Sequence, residues 1–369
     1  MIIGHGGNIF EVAKLIGCKP TDIIDMSSNM NPLGPFPGLM AHLSEKLPSI
    51  LALPQPDAYD CITAFAARNR VPPENVLVAN GTTQFIYTLP RALKTKKALI
   101  LGPTYADYAD ACRMHNVPYG YFTTEAIHAF KVDLNLLAAS IENADTIFIC
   151  NPNNPTGVLI PEPDVTDICR LFPDKQFIID EAYMPFVNRD ENFSMMPSKL
   201  SNVIVLNSMS KIFRVPGLRI GCLVAPSRTI DQIRQYLMPW SLNSLAQAAI
   251  LYLMEHGPEV ERFVEKTQIY LEDEKRFICE QLKKISNIEF FPNKTPFILA
   301  RVTGGHTAES VIASMLCSRI LLRNCSNFAG LNNLFIRISL KKHDINRFFS
   351  RTLQKVLSST TGDSKRKVT

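Results

Sequence analysis

The chain has 369 residues, of which 46% are hydrophobic and 20% are charged, an ordinary balance for a protein with a large buried core. Its net charge of +5, from 39 basic and 34 acidic residues, is too small and too scattered to indicate nucleic-acid binding and favours a modestly basic site for an anionic small molecule. No apolar run reaches the ~18 residues of a membrane span, and no basic segment followed by an apolar one opens the chain, so we predict neither a membrane anchor nor a signal peptide.

The nine cysteines are spread along the chain, and none of them forms a C-x-x-C pair. The chain is also too long to depend on a disulfide framework. We therefore predict unpaired, buried cysteines in a reducing cytoplasm, and we predict no metal site.

Residues 1–44 are dense in Gly, Pro and Asn and show no regular hydrophobic period. From residue 76 onward, short apolar runs rich in β-branched residues recur, and helix-like stretches such as Thr83–Leu93 and Pro163–Leu171 separate several of them. Such runs predict central strands that are covered on both faces. They are Val76–Ala79, Ala98–Leu101, Thr146–Cys150, Phe177–Ile179, Val203–Leu206 and Ile220–Ala225.

The pattern changes after residue 245, where the helical segments Leu245–Glu255 and Glu259–Ile285 precede shorter strands near Ile298–Val302 and Leu334–Leu340. Strand–helix alternation followed by this mixture predicts an α/β fold, with a mostly parallel central sheet in a large domain and a smaller α+β domain built from both chain ends. We place the N-terminal segment of the small domain at 1–44, the large domain at 45–250 and the C-terminal small domain at 251–369.

Polar residues directly follow five of the predicted strands. Because the carboxyl ends of parallel strands meet at one edge of a sheet, where ligands bind, these residues are expected to face one crevice. The five segments are Asn80–Thr83, Pro103–Tyr105, Asn151–Gly157, Asp180–Tyr183 and Ser208–Lys211.

The first of these segments favours a phosphate site. Gly81-Thr82-Thr83 opens a predicted helix, where free backbone N–H groups and the helix dipole attract an anion. An ordinary helix cap would give the same pattern, so this segment alone does not decide between the two.

A second group of candidates surrounds one lysine. Ser208, Ser210 and Arg219 offer two hydroxyls and a guanidinium, which together can hold a phosphate dianion. Lys211 is then left for covalent chemistry, because its amine can form a Schiff base with an aldehyde. A solvated Ser/Lys loop is the alternative, but it does not explain why these residues follow a buried strand and precede Pro216-Gly217-Leu218.

Four further residues suit an aromatic cofactor. Asp180 ends an apolar strand and needs a cationic partner, which a protonated pyridine nitrogen would supply. Tyr183 and Asn154 can donate hydrogen bonds to a phenolate oxygen, and Tyr105 can stack on the ring. Taken singly, Asp180 could be a structural helix cap and Tyr105 a core aromatic.

The order N-G-T-T, P-T-Y, N-P-N-N-P-T-G, D-E-A-Y, S-x-S-K and P-G-L-R-I-G resembles the fold-type I pyridoxal-phosphate enzymes of the aspartate aminotransferase superfamily, in the histidinol-phosphate aminotransferase branch. The resemblance covers nearly the whole chain. It implies pyridoxal 5'-phosphate as cofactor, with Lys211 as its Schiff-base lysine and Asp180 as the partner of its ring nitrogen. It also implies that Asn154 and Tyr183 hold the phenolate oxygen and that Tyr105 stacks on the ring. The implied phosphate ligands are Gly81, Thr82, Thr83, Ser208, Ser210 and Arg219.

Further segments are similar to the threonine-phosphate decarboxylases of cobalamin biosynthesis, which form (R)-1-amino-2-propanol O-2-phosphate. These segments are His5–Asn8, Ser27–Pro32, Met238–Asn243, Arg323–Cys325 and Gly330-Leu331. The resemblance implies a phosphorylated amino acid as substrate and Arg337 as a ligand for one of its anionic groups. The implied substrate-binding residues are His5, Gly6, Asn8, Asn31, Asn154, Arg323 and Arg337.

One position departs from the pattern of the family. Related enzymes carry a tyrosine before P-x-P-D that reaches the cofactor phosphate of the neighbouring subunit, whereas this chain has Leu53 there. Tyr59 lies six residues further on and is out of register. The contact between subunits is therefore in doubt, while the resemblance still implies a homodimer.

Three hypotheses about function stay open at this point. The first is decarboxylation of threonine phosphate, or of serine phosphate, which differs by one methyl group that is worth only ~1–3 kcal/mol in a pocket. The second is a histidinol-phosphate-type aminotransferase, because the same lysine, aspartate and asparagine serve both reactions. The third is a non-catalytic pyridoxal-phosphate protein, although the whole catalytic set is present and no DNA-binding domain accompanies it.

Overall fold

The structure is a computed structural model, and it describes residues 6–188, 190 and 193–358. In chain order its strands are β1 (Ile24–Asp25), β2 (Val76–Asn80), β3 (Ala98–Gly102), β4 (Tyr119–Thr123), β5 (Thr146–Cys150), β6 (Gln176–Asp180), β7 (Val203–Ser208), β8 (Ile220–Val224), β9 (Ile288–Phe290), β10 (Phe297–Val302), β11 (Ile320–Leu321), β12 (Arg323–Asn324) and β13 (Phe335–Ser339).

The helices alternate with the strands of the first half of the chain and dominate the second half. They are α1 (Ile9–Ile16), α2 (Leu39–Glu45), α3 (Tyr59–Asn69), α4 (Gly81–Ala92), α5 (Asp107–Met114), α6 (Leu134–Ile141), α7 (Glu162–Leu171), α8 (Met209–Ile212), α9 (Ser227–Arg234), α10 (Ser244–Glu255), α11 (Gly257–Leu282), α12 (Ala308–Leu316) and α13 (His343–Ser358).

The central sheet has seven strands in the order β2-β8-β7-β6-β5-β3-β4. Strand β8 is antiparallel to both of its neighbours, and the other six strands run in one direction, which confirms the predicted mostly parallel sheet. Strand β4 has no counterpart among the predicted strands. It lies at the edge of the sheet and is half exposed, so its sequence lacks the continuous apolar run of a central strand.

Each central strand packs side chains into both layers of helices. In β6, Phe177 and Ile179 join an apolar cluster with α6 and α7, while Ile178 joins the opposite cluster with α4 and α5. Every residue of β3, β5 and β8 is buried. Burial on both faces is the reason that these strands were visible as apolar runs in the sequence.

The chain ends meet in a second layer of structure. Strand β1 pairs in parallel with β11, and β12-β13-β10-β9 form an antiparallel sheet that packs with α11, α12 and α13. The domain boundaries given above stay predictions, and the one after residue 250 falls inside α10. Within the described residues, no helix combines the length and apolar character that a membrane crossing requires.

The prediction that all cysteines are buried was wrong for Cys317, which is exposed at the end of α12. Cys317 is the residue at which α12 ends, and its position in the chain gave no sign of its exposure. Six others are buried, and Cys18 and Cys279 are half-buried.

One buried carboxyl group links the end of β6 to a distant loop. Glu181 has no exposed surface and accepts hydrogen bonds from the Ser194 hydroxyl and from the backbone N–H of Met195 at 2.7 Å. Burial raises the pKa of Glu181 to about 7, against the lowering effect of these two bonds and with a further increase from Asp180. A raised carboxyl pKa favours the folded state when the group is protonated, so this contribution is lost as the pH rises from 4.5 toward 7.

Glu181→Gln is therefore expected to raise the melting temperature relative to the wild type by roughly 2–4 °C at about pH 8 and to change it little at about pH 5. Glutamine keeps the shape of the side chain and never carries the buried negative charge. Scanning calorimetry at both pH values checks this, with the exposed Glu125→Gln as matched control. An equal change at both pH values would show that the ionisation of Glu181 does not limit stability.

Candidate active site

The topology of the central sheet brings the candidate residues to one edge. The carboxyl ends of the parallel strands β5, β6 and β7 lie there, and so does that of β2, on the far side of β8. Strand β8 runs the other way, so its first residue is at the same edge: Ile220 pairs with Asn80, and Gly221 pairs with Ser208. Arg219, which precedes β8, therefore lies beside residues that follow the parallel strands.

A crevice of about 360 Å³ opens at this edge, between the central sheet and the antiparallel sheet. Its walls combine predicted and unpredicted residues. They are Gly6, Ser27, Ser28, Asn29, Met30, Tyr105, Ala106, Asn154, Tyr183, Lys211, Arg219, Arg323, Asn327, Phe328 and Arg337.

Lys211 is the amine of this crevice. It lies in the short helix α8, directly after β7, and it is half-buried. Its Nζ atom is 4.8 Å from the centre of the Tyr183 ring. The backbone N–H of Asn31 donates to the Lys211 carbonyl at 3.1 Å, so the N-terminal segment braces the turn that carries the lysine.

Asp180 lies behind the crevice wall at the end of β6, where 5% of its surface is exposed. One carboxylate oxygen accepts from the backbone N–H of Ala182 at 3.0 Å, and the other accepts from the Tyr108 hydroxyl at 2.8 Å. Burial, with the nearby negative charge of Asp180, holds the pKa of Tyr108 well above its usual value. Tyr108 therefore stays protonated and donates a hydrogen bond to Asp180. Tyr108 was not predicted; its only signal is a polar atom on the apolar face of α5.

The start of α4 and the residue before β8 form a compact group of anion ligands. Gly81 has φ of 79°, and a Cβ atom there would lie 2.6 Å from Nη2 of Arg219, so only glycine lets this guanidinium approach the helix start. Arg219 itself has φ of 57°, a costly conformation for a residue with a side chain. Buried hydroxyls complete the group at Thr82, Ser208 and Ser210, beside half-buried Thr83.

Two arginines stand directly opposite each other on neighbouring strands. Arg323 of β12 pairs in register with Arg337 of β13, and both side chains are buried. Arg337 donates to the Asn154 side-chain oxygen and, at 2.7 Å, to the Ser27 carbonyl, while its Nε has no hydrogen-bond partner. Like charges at opposed positions repel, so this arrangement favours a bound anion.

Neutral groups orient the Arg323 guanidinium. It donates to the Asn324 carbonyl and, at 2.7 Å, to the Asn327 side-chain oxygen, and it lies 5.1 Å from the centre of the Phe328 ring. Burial, together with the charge of Arg337, lowers the pKa of Arg323 to about 10.

A third cation lies behind the loop that carries Ser27 and Ser28. Lys341 donates to the Ser28 carbonyl at 3.0 Å, and burial lowers its pKa to about 8, with Asp25 opposing this effect and the charge of Arg337 adding to it. Burial alone would raise the pKa of Asp25, but hydrogen bonds from the two serines and the charge of Lys341 hold it below its ordinary value. The crevice is therefore bordered mainly by positive charge.

The structure does not bring all the predicted substrate ligands into the crevice. Asn31 is fully buried and donates to the Ile212 carbonyl at 2.8 Å and to the Thr267 hydroxyl at 2.9 Å, so its amide serves the interior. Asn8 is exposed and caps α1. His5 lies outside the described residues.

Gly6 does reach the crevice, at the place where the N-terminal segment crosses the Ser27 loop. A Cβ atom on Gly6 would overlap the Ser27 carbonyl, and the next backbone N–H, that of Gly7, donates to the Ser27 hydroxyl at 2.7 Å. In place of Asn31, the crevice is lined by Asn29, which was not among the predicted substrate ligands.

The residues present fit pyridoxal phosphate. The group needs anion ligands at a helix start, an amine, a carboxylate for the ring nitrogen and an aromatic ring for its face. Arg219, Lys211, Asp180 and Tyr105 offer these at one sheet edge. Burial, with Asp107 nearby, raises the pKa of Tyr105, which keeps this ring neutral. In the described ranges, no three His, Cys, Asp or Glu side chains are grouped as a metal ion would need.

Comparison with known proteins gives relatives of two activities. CobDQ of Leptospira interrogans, a bifunctional adenosylcobalamin biosynthesis protein, is 29% identical over 348 residues, which cover 93% of this chain and 40% of that protein, so the chain spans less than half of it. The threonine-phosphate decarboxylase of Salmonella typhimurium is 28% identical, with 96% of each chain covered. The histidinol-phosphate aminotransferase of Methanococcus maripaludis is also 28% identical, over 94% of this chain and 93% of that protein.

Solved structures agree with this. The crystal structure of L-threonine-O-3-phosphate decarboxylase from Porphyromonas gingivalis has a TM-score of 0.82 and 28% identity, and it covers 91% of this chain and 100% of that one. The family model described as aminotransferase class I and II matches residues 21–351. The chain therefore belongs to the aminotransferase class I and II family and has its pyridoxal-phosphate-dependent fold type I.

Proposed function

We propose that this chain decarboxylates an O-phosphorylated amino acid with pyridoxal 5'-phosphate as cofactor. The proposed substrate is L-threonine O-3-phosphate and the product (R)-1-amino-2-propanol O-2-phosphate, for cobalamin biosynthesis. The observation that carries the proposal is the opposed pair Arg323 and Arg337, two buried cations at the crevice that suit a substrate with two anionic groups. Relatives that bear this activity at 28% identity support it.

In this proposal the chain holds the cofactor at the sheet edge. When bound, pyridoxal phosphate supplies an electron sink for the electron pair released at the substrate Cα. Asp180 holds the proton on the ring nitrogen, and Tyr105 stacks on the ring. Lys211 carries the cofactor and moves a proton at Cα. The phosphate ligands are Gly81, Thr82, Thr83, Ser208, Ser210 and Arg219.

Asn154 connects the cofactor side of the crevice to the substrate side. Its oxygen accepts from Arg337, so the two N–H groups of its amide point elsewhere and can donate to the phenolate oxygen of the cofactor. The same contact fixes the guanidinium, which then offers its unpartnered Nε and the rest of its fork to a carboxylate or phosphate. Arg323 takes the other anionic group.

Transamination is the second candidate, because a histidinol-phosphate aminotransferase is as similar as the decarboxylase. The two reactions differ in which bond at Cα is cleaved, and Lys211, Asp180 and Asn154 serve both. Incubation with threonine phosphate, serine phosphate and histidinol phosphate separates them: released CO2 without any 2-oxoglutarate supports decarboxylation, and a requirement for 2-oxoglutarate supports transamination. Absence of any turnover would leave a non-catalytic pyridoxal-phosphate protein.

Large apolar side chains on one surface indicate a partner, and we propose that it is a second copy of the chain. Leu51 is 88% exposed and Leu53 is 76% exposed, and the Trp240 backbone N–H donates to the Pro56 carbonyl at 3.0 Å, which joins their segment to the segment before α10. The surface also includes Leu47, Ile50, Tyr59 and Met238. Exposed large apolar side chains on two joined segments are typical of an interface.

Lys211→Ala is expected to abolish covalent attachment of the cofactor and reduce turnover by at least ~100-fold, because no other amine lines the crevice among the described residues. Borohydride reduction followed by peptide mass spectrometry should find the cofactor on Lys211 in the wild type. Labelling of another lysine would contradict the assignment. The exposed Lys131→Ala serves as control.

Arg323→Ala is expected to raise KM for threonine phosphate by roughly 10–100-fold, because the variant loses a charge-assisted hydrogen bond to the substrate phosphate. The effect on unphosphorylated threonine should be smaller. Arg337→Ala should weaken both substrates, since Arg337 is expected to bind an anion common to both. Arg301→Ala is the matched control. Arg301 lies in the same sheet but outside the crevice, and its guanidinium is 2.6 Å from the Glu289 carboxylate. Equal losses with both substrates for Arg323→Ala would exclude its phosphate role.

Leu51→Glu combined with Trp240→Glu is expected to convert a dimer into a monomer, because two buried charges would have no partners at the interface. Light scattering coupled to size-exclusion chromatography measures the mass. Leu136→Glu, at an exposed leucine of α6, should leave the dimer intact. A monomeric wild type would show that the surface has another role.

A further inference from the structure

Three buried polar side chains form a chain of hydrogen bonds that ends at the crevice. The Asn29 amide nitrogen donates to the Tyr183 hydroxyl oxygen at 2.9 Å, and the Ser339 hydroxyl donates to the Asn29 side-chain oxygen at 2.6 Å. Asn29 is 5% exposed, Tyr183 is 4% exposed, and Ser339 is fully buried. They come from the N-terminal loop, the turn after β6 and the end of β13, so the fold brings together three distant segments.

The direction of these bonds decides what Tyr183 can do. A tyrosine hydroxyl has one proton to donate, and its oxygen can also accept. Because Asn29 already donates to that oxygen, the proton of Tyr183 is left for an acceptor on another side. Ser339 supports this direction, since its hydroxyl donates to the amide oxygen of Asn29 and the amide nitrogen then faces Tyr183.

Packing fixes the ring that carries this hydroxyl. Tyr183 meets Phe297 edge to face, with ring centres 5.2 Å apart, and it also packs against Phe186. Tyr183 and Asn29 both line the crevice, and Lys211 Nζ lies over the face of the tyrosine ring. The hydroxyl proton can therefore be directed only by hydrogen bonding, not by movement of the ring.

We propose that Asn29 and Ser339 are positioning residues that orient the Tyr183 proton into the crevice, toward the phenolate oxygen of the bound cofactor. The inference rests on the proposed cofactor. A hydrogen bond to a phenolate stabilises its charged form. The hydrogen-bonded series Ser339, Asn29 and Tyr183, called the relay below, therefore lowers the pH at which the cofactor bound to Lys211 loses its proton. The benefit of the relay is a cofactor held in one protonation state before substrate arrives.

The test is a pH titration of the absorbance of the cofactor-loaded protein without substrate. Asn29→Ala is expected to raise the pH midpoint by at least about 0.5, the effect of weakening one hydrogen bond to the charged form. Ser339→Ala should raise it by less, in the same direction. Asn29→Asp, which keeps the size of the side chain, should raise the midpoint more. Its carboxylate would accept a hydrogen bond from the Tyr183 hydroxyl, which then no longer points to the cofactor, and it would add a negative charge.

A double-mutant cycle distinguishes positioning from a general loss of structure. Tyr183→Phe should itself raise the midpoint, and Asn29→Ala should then add nothing, because the relay acts only through the hydroxyl. Asn202→Ala removes a buried amide that donates to two carbonyls far from the crevice, and it should lower the melting temperature without moving the midpoint.

An unchanged midpoint in Asn29→Ala, or an equal shift in the Tyr183→Phe background, would overturn the inference. If Asn29→Ala does not fold, Asn29→Asp and Ser339→Ala decide it by the same criterion. A wild type without any cofactor absorbance would instead overturn the proposed function.

Discussion

The buried guanidinium of Arg337 is the interaction around which the crevice is arranged. It is 4% exposed, and within the described part of the chain its hydrogen bonds go to neutral oxygens, on Asn154 after β5 and on Ser27 in the N-terminal loop. A buried charge is costly unless it is paired and hydrogen-bonded. The contacts with Asn154 and Ser27 offset part of this cost, and a bound anion would offset much of the remainder. Through Arg337, three segments of the chain become one wall.

The reversed strand β8 has a comparable effect on the other side of the crevice. In a sheet with parallel strands alone, the residue before a strand lies at the edge opposite to the site. Because β8 is antiparallel, Arg219 lies at the site edge, next to the helix start at Gly81. The left-handed backbone of Arg219 and the glycine that makes room for it are local costs that this placement requires.

Most of the central sheet could be predicted from the sequence because burial on both faces leaves a continuous apolar run. Thr146–Cys150 was predicted with its observed bounds, whereas the edge strand Tyr119–Thr123, half exposed, carries no such run. Site residues directly after these strands, such as Lys211 and Tyr183, could be found for the same reason. The loop residues could not: Asn29-Met30-Asn31 offers two similar amides, and only the fold shows that Asn29 faces the crevice while Asn31 serves the interior.

The electrostatics of the crevice lie even further from the sequence, because they depend on which cations the fold confines together. Burial lowers the pKa values of Arg323 and Lys341, and in both cases the charge of Arg337 lowers them further. An anion bound between the arginines would oppose the pKa-lowering effect of the Arg337 charge. The free energy of unfolding would then rise with the logarithm of the ligand concentration once that concentration exceeds Kd. The repulsion among these cations is thus a cost of the ligand-free fold that binding recovers. The ligand-free protein is therefore less stable than it would be without these cations, because their arrangement is complementary to a bound anion.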